Sequence, residues 1–140
     1  MSASGSSSVH GRGRCLCGAV SYEVRAPMRE ISFCHCGMCR RVHSYAGAYT
    51  TAIADSIVLH DPSGALRWYR SSDEVQRGFC STCGTMLFWQ HDASKVRGVT
   101  AGSLEAPTGL RAGMHIHVAD KGDWYEIPDD GLERRQGSFA

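Results

Sequence analysis

The amino-acid sequence predicts a mostly β fold, a single domain of antiparallel strands. Short segments alternate apolar and polar side chains, as half-buried strands do. Clusters of Gly, Pro and Asp separate these segments along the chain. No segment keeps a helical period beyond about two turns. Because the chain of 140 residues is long enough to bury one core, we expect a single domain.

The strands are expected where the alternation is clearest, at residues 19–24, 57–60, 66–69, 85–89 and 115–118. Turns are expected at residues 61–64, 106–109 and 121–123, and one helical turn at residues 38–43. We expect residues 12–131 to form the domain. Residues 1–11, rich in Ser and Gly, are expected to be a disordered leader, and residues 132–140 a polar tail.

The seven cysteines all lie in three short clusters. These are Cys15 with Cys17, Cys34 with Cys36 and Cys39, and Cys80 with Cys83. Residues 1–14 contain no apolar stretch of a secretory signal, and no segment approaches the roughly 18 apolar residues of a membrane span. We therefore expect a cytoplasmic protein with reduced thiols. Disulfides, redox-active pairs and buried core thiols are weaker interpretations than metal ligands.

Spacing leaves two ways of dividing the cysteines between metal sites. In the favoured division, the two pairs close a four-ligand zinc site, and the triple holds a second zinc with an open fourth position. In the other, Cys36 and Cys39 join the last pair in a zinc ribbon. The 40 residues between those pairs far exceed the roughly 15–20 of a ribbon. The ribbon would also leave three cysteines without a common role.

The combined pattern resembles the glutathione-dependent formaldehyde-activating enzyme family, which includes the centromere protein V type. The likeness rests on the segments CLCG, CHCGMCR, RGFCSTCG, AGSL and KGDWY, and it covers about residues 14–131. It implies a β-rich zinc fold like that of the Rab-exchange-factor chaperones. It also implies two zinc ions per chain. The structural zinc would lie on Cys15, Cys17, Cys80 and Cys83, and the catalytic zinc on Cys34, Cys36 and Cys39.

The same resemblance implies a carbon–sulfur lyase that makes or cleaves S-(hydroxymethyl)glutathione, with glutathione and formaldehyde as its small-molecule partners. Three thiolates leave zinc with a net charge of about −1, which disfavours the generation of hydroxide. Soft ligands instead suit a further thiol, deprotonated by the metal and held beside an aldehyde. Arg40 is counted with the three cysteines as catalytic, because it could balance the anionic centre or bind a substrate carboxylate.

The histidines near these clusters allow several interpretations. His35 lies between two ligands, so its side chain is expected to point away from the metal. His43 is interpreted either as a proton shuttle or as polar surface. His115 and His117 share one face of an expected strand, and a second metal site there is the weaker interpretation.

The main alternative to an enzyme is a non-catalytic, zinc-stabilised protein-binding module. A fourth protein ligand at the triple, such as His43, would favour that alternative. Nucleic-acid binding is disfavoured, because the net charge is +1 and no stripe of Lys and Arg runs along the sequence. We expect neither a nucleic-acid partner nor a membrane partner.

Overall fold

Strands dominate the structure, a computed structural model that describes residues 8–138. The strands are β1 (Gly11–Arg14), β2 (Ser21–Val24), β3 (Ile31–Cys34), β4 (Gly47–Ile53), β5 (Ile57–His60), β6 (Leu66–Arg70), β7 (Val75–Cys80), β8 (Met86–His91), β9 (Val96–Thr100), β10 (Ala112–Ile116) and β11 (Glu133–Arg134). One α-helix, α1 (Gly37–His43), follows β3. The prediction of a mostly β fold is confirmed. Within residues 8–138, no helix is both long enough and apolar enough to cross a membrane.

The described chain divides into two compact units, each made of two separate stretches of sequence. The first unit contains residues 8–29 and 50–109. In it, β2 pairs with β1 and β5, and the strands from β6 to β9 pair in chain order, all antiparallel. Its buried core consists of Cys15, Val20, Tyr22, Val24, Ala52, Ala65, Cys80, Leu87, Phe88 and Val99. Two cysteines therefore enter the sheet core of this unit.

The second unit contains residues 30–49 and 110–138. Strand β3 pairs antiparallel with β4 but parallel with β10, and β10 is also parallel to β11. The expectation of purely antiparallel strands is wrong here. Parallel neighbours need a long connection, and the chain between β3 and β10 is long because it contains α1 and strands β4 to β9.

The five predicted strands overlap β2, β5, β6, β8 and β10, and the predicted helical turn lies within α1. The last of the five predicted strands, at residues 115–118, is wrong at its end, because β10 stops at Ile116. His117 takes the left-handed conformation, with a φ of 52°, which ends the strand. His115 and His117 consequently do not share a strand face.

Backbone pairing reaches beyond the predicted domain limits at both ends. Most of the predicted leader, residues 1–7, and residues 139–140 of the predicted tail lie outside the described residues. Strand β1 begins at Gly11, and the His10 N–H donates to the Val24 carbonyl at 2.7 Å. In the predicted tail, β11 pairs with β10, and the His117 N–H donates to the Gly137 carbonyl at 2.7 Å. Main-chain hydrogen bonds hold these polar segments without needing apolar side chains.

Candidate metal centres

The first candidate centre, the four-cysteine cluster, lies where two turns of the first unit meet. Two of its residues flank the turn after β1, and the other two lie at the end of β7 and in the turn before β8. The four sulfur atoms all lie within 4.8 Å of one another and belong to Cys15, Cys17, Cys80 and Cys83. Gly18 and Gly84 follow the pairs with φ values of 81° and 83°, which glycine adopts readily.

Distances in the four-cysteine cluster fit a tetrahedral metal. The Cys17 sulfur lies 3.6 Å from that of Cys15 and 3.8 Å from that of Cys80. Four sulfurs about 2.3 Å from a central zinc would be about 3.8 Å apart. The Thr85 hydroxyl, and then the Cys17 backbone N–H, lower the pKa of Cys83 to about 5. Metals bind thiolates rather than thiols, so this cluster could hold a metal ion.

Thr85 contacts the four-cysteine cluster without being one of its candidate ligands, and the sequence did not predict this role. Its hydroxyl accepts the Leu16 N–H at 2.9 Å and lies 3.2 Å from the Cys83 sulfur. The side chain thus joins the turn that carries the first pair to the turn that carries the second. The sequence signal was its place directly after the CxxCG segment, where a hydroxyl can reach back to the turn.

The second candidate centre, the three-cysteine cluster, lies where β3 passes into α1 in the second unit. Cys34 ends β3, Cys36 is the N-cap of α1, and Cys39 is buried in the first turn of that helix. Their three sulfur atoms lie within 4.8 Å of one another. As N-cap, the Cys36 sulfur accepts the Cys39 N–H at 3.4 Å, the role that a serine or aspartate oxygen has in other helices.

Hydrogen bonds among these sulfurs shift the pKa values of Cys34 and Cys36 in opposite directions. The Cys34 thiol first, and then that of Cys39, hold the pKa of Cys36 far below its ordinary value. The same contacts, with Cys36 as the largest cause, raise the pKa of Cys34 far above its ordinary value. Negative charge therefore concentrates on Cys36 rather than on Cys34. A cation that displaced the Cys34 proton would remove this competition, so this cluster could also hold a metal ion.

The structure groups the cysteines as four and three. Cys36 and Cys39 lie with Cys34 and not with the pair Cys80 and Cys83, so the zinc-ribbon division is wrong. Among residues 8–138, no further His, Cys, Asp or Glu offers a ligand atom close to all three sulfurs of the three-cysteine cluster. That cluster therefore supplies three protein ligands and not four.

Arg40 lies next to Cys39 on α1, and its Nε is buried. This atom has no hydrogen-bond partner among the described residues. The Cδ of Arg40, the Nε1 of Trp124 and the Cε1 of Tyr125 all approach within 3.2 Å of the point where a Cβ on Gly122 would lie. The three side chains therefore converge on one glycine beside the helix that carries the cysteines.

The aromatic rings of Tyr45, Trp124 and Tyr125 pack against one another in the same region. The ring of Tyr125 lies 4.6 Å from that of Tyr45 and 4.8 Å from that of Trp124. Tyr45 and Trp124 are exposed, at 40% and 62% of their accessible area. Burial raises the pKa of Tyr125, while the backbone hydrogen bond at Gly122 and the charge of Arg40 lower it. Tyr125 is thus electrostatically linked to Arg40.

His35 is fully buried, and both of its ring nitrogens are engaged. Its Nδ1 lies 2.7 Å from the Tyr125 hydroxyl, and its Nε2 lies 2.8 Å from Nδ1 of His115. Burial first, and then the charges of His115, Arg134 and Lys121, lower the pKa of His35 to about 4. The ring is therefore neutral near pH 7 and uses neither nitrogen for the adjacent cysteines.

His43, His115 and His117 also have protein partners. Nε2 of His43 lies 2.8 Å from the hydroxyl of Tyr49, in the strand that follows α1. Nε2 of His115 lies 2.8 Å from a carboxylate oxygen of Asp130. Nδ1 of His117 lies 3.9 Å from a carboxylate oxygen of Asp120. His115 and His117 thus turn to different partners and do not form a common cluster.

A family model and one relative point to the same family. Residues 10–120 match the family model described as glutathione-dependent formaldehyde-activating enzyme. A putative glutathione-dependent formaldehyde-activating enzyme of Halomonas elongata is 27% identical over 135 residues, which cover 87% of this chain and 83% of that protein. An uncharacterized lyase of Schizosaccharomyces pombe is 27% identical over 117 residues, which cover 82% of this chain and 83% of that protein.

A solved structure shares the fold. The crystal structure of a Rhodobacter sphaeroides protein, a structural-genomics target, aligns with a TM-score of 0.58 at 21% identity. The alignment covers 89% of this chain and 98% of that one. At this level of identity the likeness concerns the fold alone.

Proposed function

The chain belongs to the glutathione-dependent formaldehyde-activating enzyme family, and from this membership we propose that it is a zinc-dependent carbon–sulfur lyase. Its reaction would join glutathione and formaldehyde in S-(hydroxymethyl)glutathione, or cleave that adduct. The names of the relatives support an enzyme of this class, since one is a putative formaldehyde-activating enzyme and the other a lyase. The observation that carries the proposal is the three-cysteine cluster, which supplies three soft ligands and no fourth among residues 8–138.

Zinc is the proposed metal at both clusters. Thiolate ligands favour zinc among the common divalent ions, and the sulfur separations of 3.6 and 3.8 Å fit its tetrahedral site. The four-cysteine cluster would hold a structural zinc, because its four ligands complete the coordination. At the three-cysteine cluster, a bound zinc would supply a soft centre with an open position that favours the deprotonated form of a further thiol.

Arg40 is proposed to bind a carboxylate of glutathione. A buried guanidinium nitrogen without a hydrogen-bond partner is rare in folded proteins, because leaving it unpaired is unfavourable. A carboxylate would satisfy it, and Arg suits this role through its paired N–H groups. The exposed rings of Tyr45 and Trp124 would form an apolar wall along the peptide.

The three-ligand cluster also argues against the binding-module alternative. A fourth protein ligand such as His43 would favour that alternative, but Nε2 of His43 lies 2.8 Å from the Tyr49 hydroxyl. An open position supports catalysis more than a purely structural role. The cytoplasmic location, the absence of nucleic-acid partners and the likeness to Rab-exchange-factor chaperones stay predictions.

Two measurements on the full chain test the proposed function. Native mass spectrometry should find two zinc ions per chain. Exchange NMR should show faster interconversion of glutathione plus formaldehyde with their adduct when the protein is present. Cys36→Ala should reduce this acceleration about a hundredfold or more, since it removes a metal ligand. Met38→Ala, an exposed position in the same helix, should leave it unchanged. Two zinc ions without any acceleration would refute the formaldehyde assignment.

A further inference from the structure

Gly122 is buried in the second unit, and three side chains meet at the place where a side chain of its own would lie. An added Cβ would be 2.9 Å from Nε1 of Trp124, 3.0 Å from Cε1 of Tyr125 and 3.2 Å from Cδ of Arg40. Real Cβ atoms essentially never lie closer than 3.0 Å to such an atom. An alanine at this position would therefore have to displace at least one of the three side chains.

The backbone conformation of Gly122 does not itself require glycine. Gly18 and Gly84 have a φ in the left-handed region, whereas the φ of Gly122 lies outside it. A residue with a Cβ would thus meet no left-handed strain at this position. What glycine supplies here is space, which allows other groups to approach its backbone closely.

Tyr125 is held on several sides and cannot easily make room for a Cβ. The Lys121 Nζ donates to the Tyr125 carbonyl at 2.6 Å and to the Gly122 carbonyl at 3.3 Å, which closes the loop between them. The Tyr125 hydroxyl lies 2.7 Å from Nδ1 of His35, and its ring centre lies 4.6 Å from that of Tyr45. Moving Tyr125 away from residue 122 would break these contacts.

The displacement would consequently fall on Arg40 and Trp124. The Trp124 ring is 62% exposed, so it is free to turn towards solvent. The Cδ of Arg40 is bonded to the buried Nε that has no hydrogen-bond partner among the described residues. A shift of this Cδ therefore moves the guanidinium group directly. The space at Gly122 determines where the guanidinium lies relative to the Trp124 ring.

We propose that Gly122 is a positioning residue, whose missing side chain lets Arg40 and Trp124 close together in the geometry that binds a carboxylate of the thiol substrate. This inference rests on the proposed function for the identity of that substrate and for the carboxylate contact. A guanidinium group binds a carboxylate through paired N–H groups in a fixed geometry, so a small displacement weakens the contact. The position of Arg40 itself does not depend on substrate and can be tested in the free protein.

Side-chain signals in ¹H–¹⁵N NMR spectra of the full chain report on both partners, because Arg Nε–H and Trp Nε1–H groups give separate signals. Arg40→Gln and Trp124→Phe assign the two signals by their loss. In Gly122→Ala, both signals should shift in the absence of any ligand. Gly137→Ala is the matched control and should leave them in place, because a Cβ there meets no atom within 4 Å and its φ also lies outside the left-handed region. Unshifted signals in Gly122→Ala would overturn the inference.

A second variant keeps the test available if Gly122→Ala does not fold. Combining it with Trp124→Ala removes the nearest contact of the new Cβ and leaves those with Tyr125 and Arg40. The Arg40 Nε–H signal should still differ between this double variant and Trp124→Ala alone. Identical signals in these two proteins would overturn the inference.

Titration with S-methylglutathione tests the role in binding. This probe keeps both carboxylates of glutathione but has no free thiol, so it reports the carboxylate contact without metal ligation or reaction. It should move the Arg40 and Trp124 signals of the wild type. The Kd read from the Trp124 signal should rise about tenfold in Gly122→Ala, the lower end of the range for a lost hydrogen bond to a charged group. An equal Kd would overturn the role of Gly122 in binding.

The Arg40→Gln background separates positioning from general damage to the fold. Adding Gly122→Ala to Arg40→Gln should not weaken probe binding further, because both changes act through one contact. A tenfold loss that persists in this background would overturn the inference. A probe that left the wild-type Arg40 signal unmoved would overturn the carboxylate contact together with this role. An absence of formaldehyde turnover would count against the proposed function alone, because neither NMR measurement needs turnover.

Discussion

Replacing Cys17 with serine should remove one ligand from the four-cysteine cluster while leaving the core intact. The Cys17 side chain is exposed, whereas Cys15 and Cys80 are 1% and 0% exposed. Its sulfur lies 3.6 Å from that of Cys15 and 3.8 Å from that of Cys80, so it occupies one vertex of the tetrahedron. Cys17→Ser therefore tests metal binding at this cluster without creating a cavity.

The expected magnitude follows from the number of ions. An ion that binds only the folded state adds RT ln(1 + [ion]/Kd) to the free energy of unfolding, or about 1.4 kcal/mol for each tenfold rise in free ion above Kd. Two clusters holding one zinc each should give about 2.8 kcal/mol per tenfold rise. With three thiolates left, the four-cysteine cluster should bind zinc more weakly, so between the old and the new Kd the slope should fall to about 1.4 kcal/mol, the contribution of the three-cysteine cluster.

The assay is urea unfolding in a series of zinc buffers, with free zinc kept below the level at which unfolded thiols bind it. The slope of the free energy of unfolding against the logarithm of free zinc counts the ions released. Leu16→Ala, at the 80% exposed residue between the first two cysteines, is the matched control and should keep the wild-type slope. A wild-type slope near zero, or a zinc dependence that Cys17→Ser does not move to higher free zinc, would refute the assignment of a metal to this cluster.

Two further predictions concern Arg40 and Tyr22. Arg40→Gln should raise the KM for glutathione about tenfold to a hundredfold, which is the range for losing a hydrogen bond to a charged group. Arg41→Gln, on the same helix, should not raise this KM. Equal effects of the two substitutions would exclude a carboxylate contact at Arg40. Burial raises the pKa of Tyr22 from 10.0 to about 12, so its neutral hydroxyl stabilises the fold up to about pH 10 and loses about 2.7 kcal/mol as the pH rises to 12. Tyr22→Phe should abolish that loss in alkaline unfolding and the exposed Tyr69→Phe should not; a loss that persists in Tyr22→Phe would assign it to other groups.

Spacing and alternation predicted much of the fold and both cysteine clusters. Strand β2 was predictable because its side chains alternate between buried and partly exposed positions, a period that the sequence displays directly. The clusters were predictable because ligands from a single turn must be close in sequence. The structure places Cys34, Cys36 and Cys39 together through the junction of β3 and α1, as that spacing requires.

Features that depend on partners distant in sequence were not predictable. Strand β11 has two exposed residues and pairs with β10 only through its backbone, so no side-chain pattern marks it. His115 was interpreted with His117 because both lay in one apparent strand, but its partners are His35 and Asp130, which lie 80 and 15 positions away. Hydrogen bonds between residues so far apart in the sequence produce no local motif from which they could be predicted.

Two residues that follow β10, Tyr125 and Asp130, hydrogen-bond to His35 and His115 although they lie outside the family match. The matched region ends at residue 120, and all seven cysteines precede that limit, whereas Tyr125 and Asp130 follow it. The segment after residue 120 therefore lies beyond the match, yet its side chains reach back to two histidines within it. Residues outside the matched region thus complete the buried polar surroundings of His35, the residue between Cys34 and Cys36.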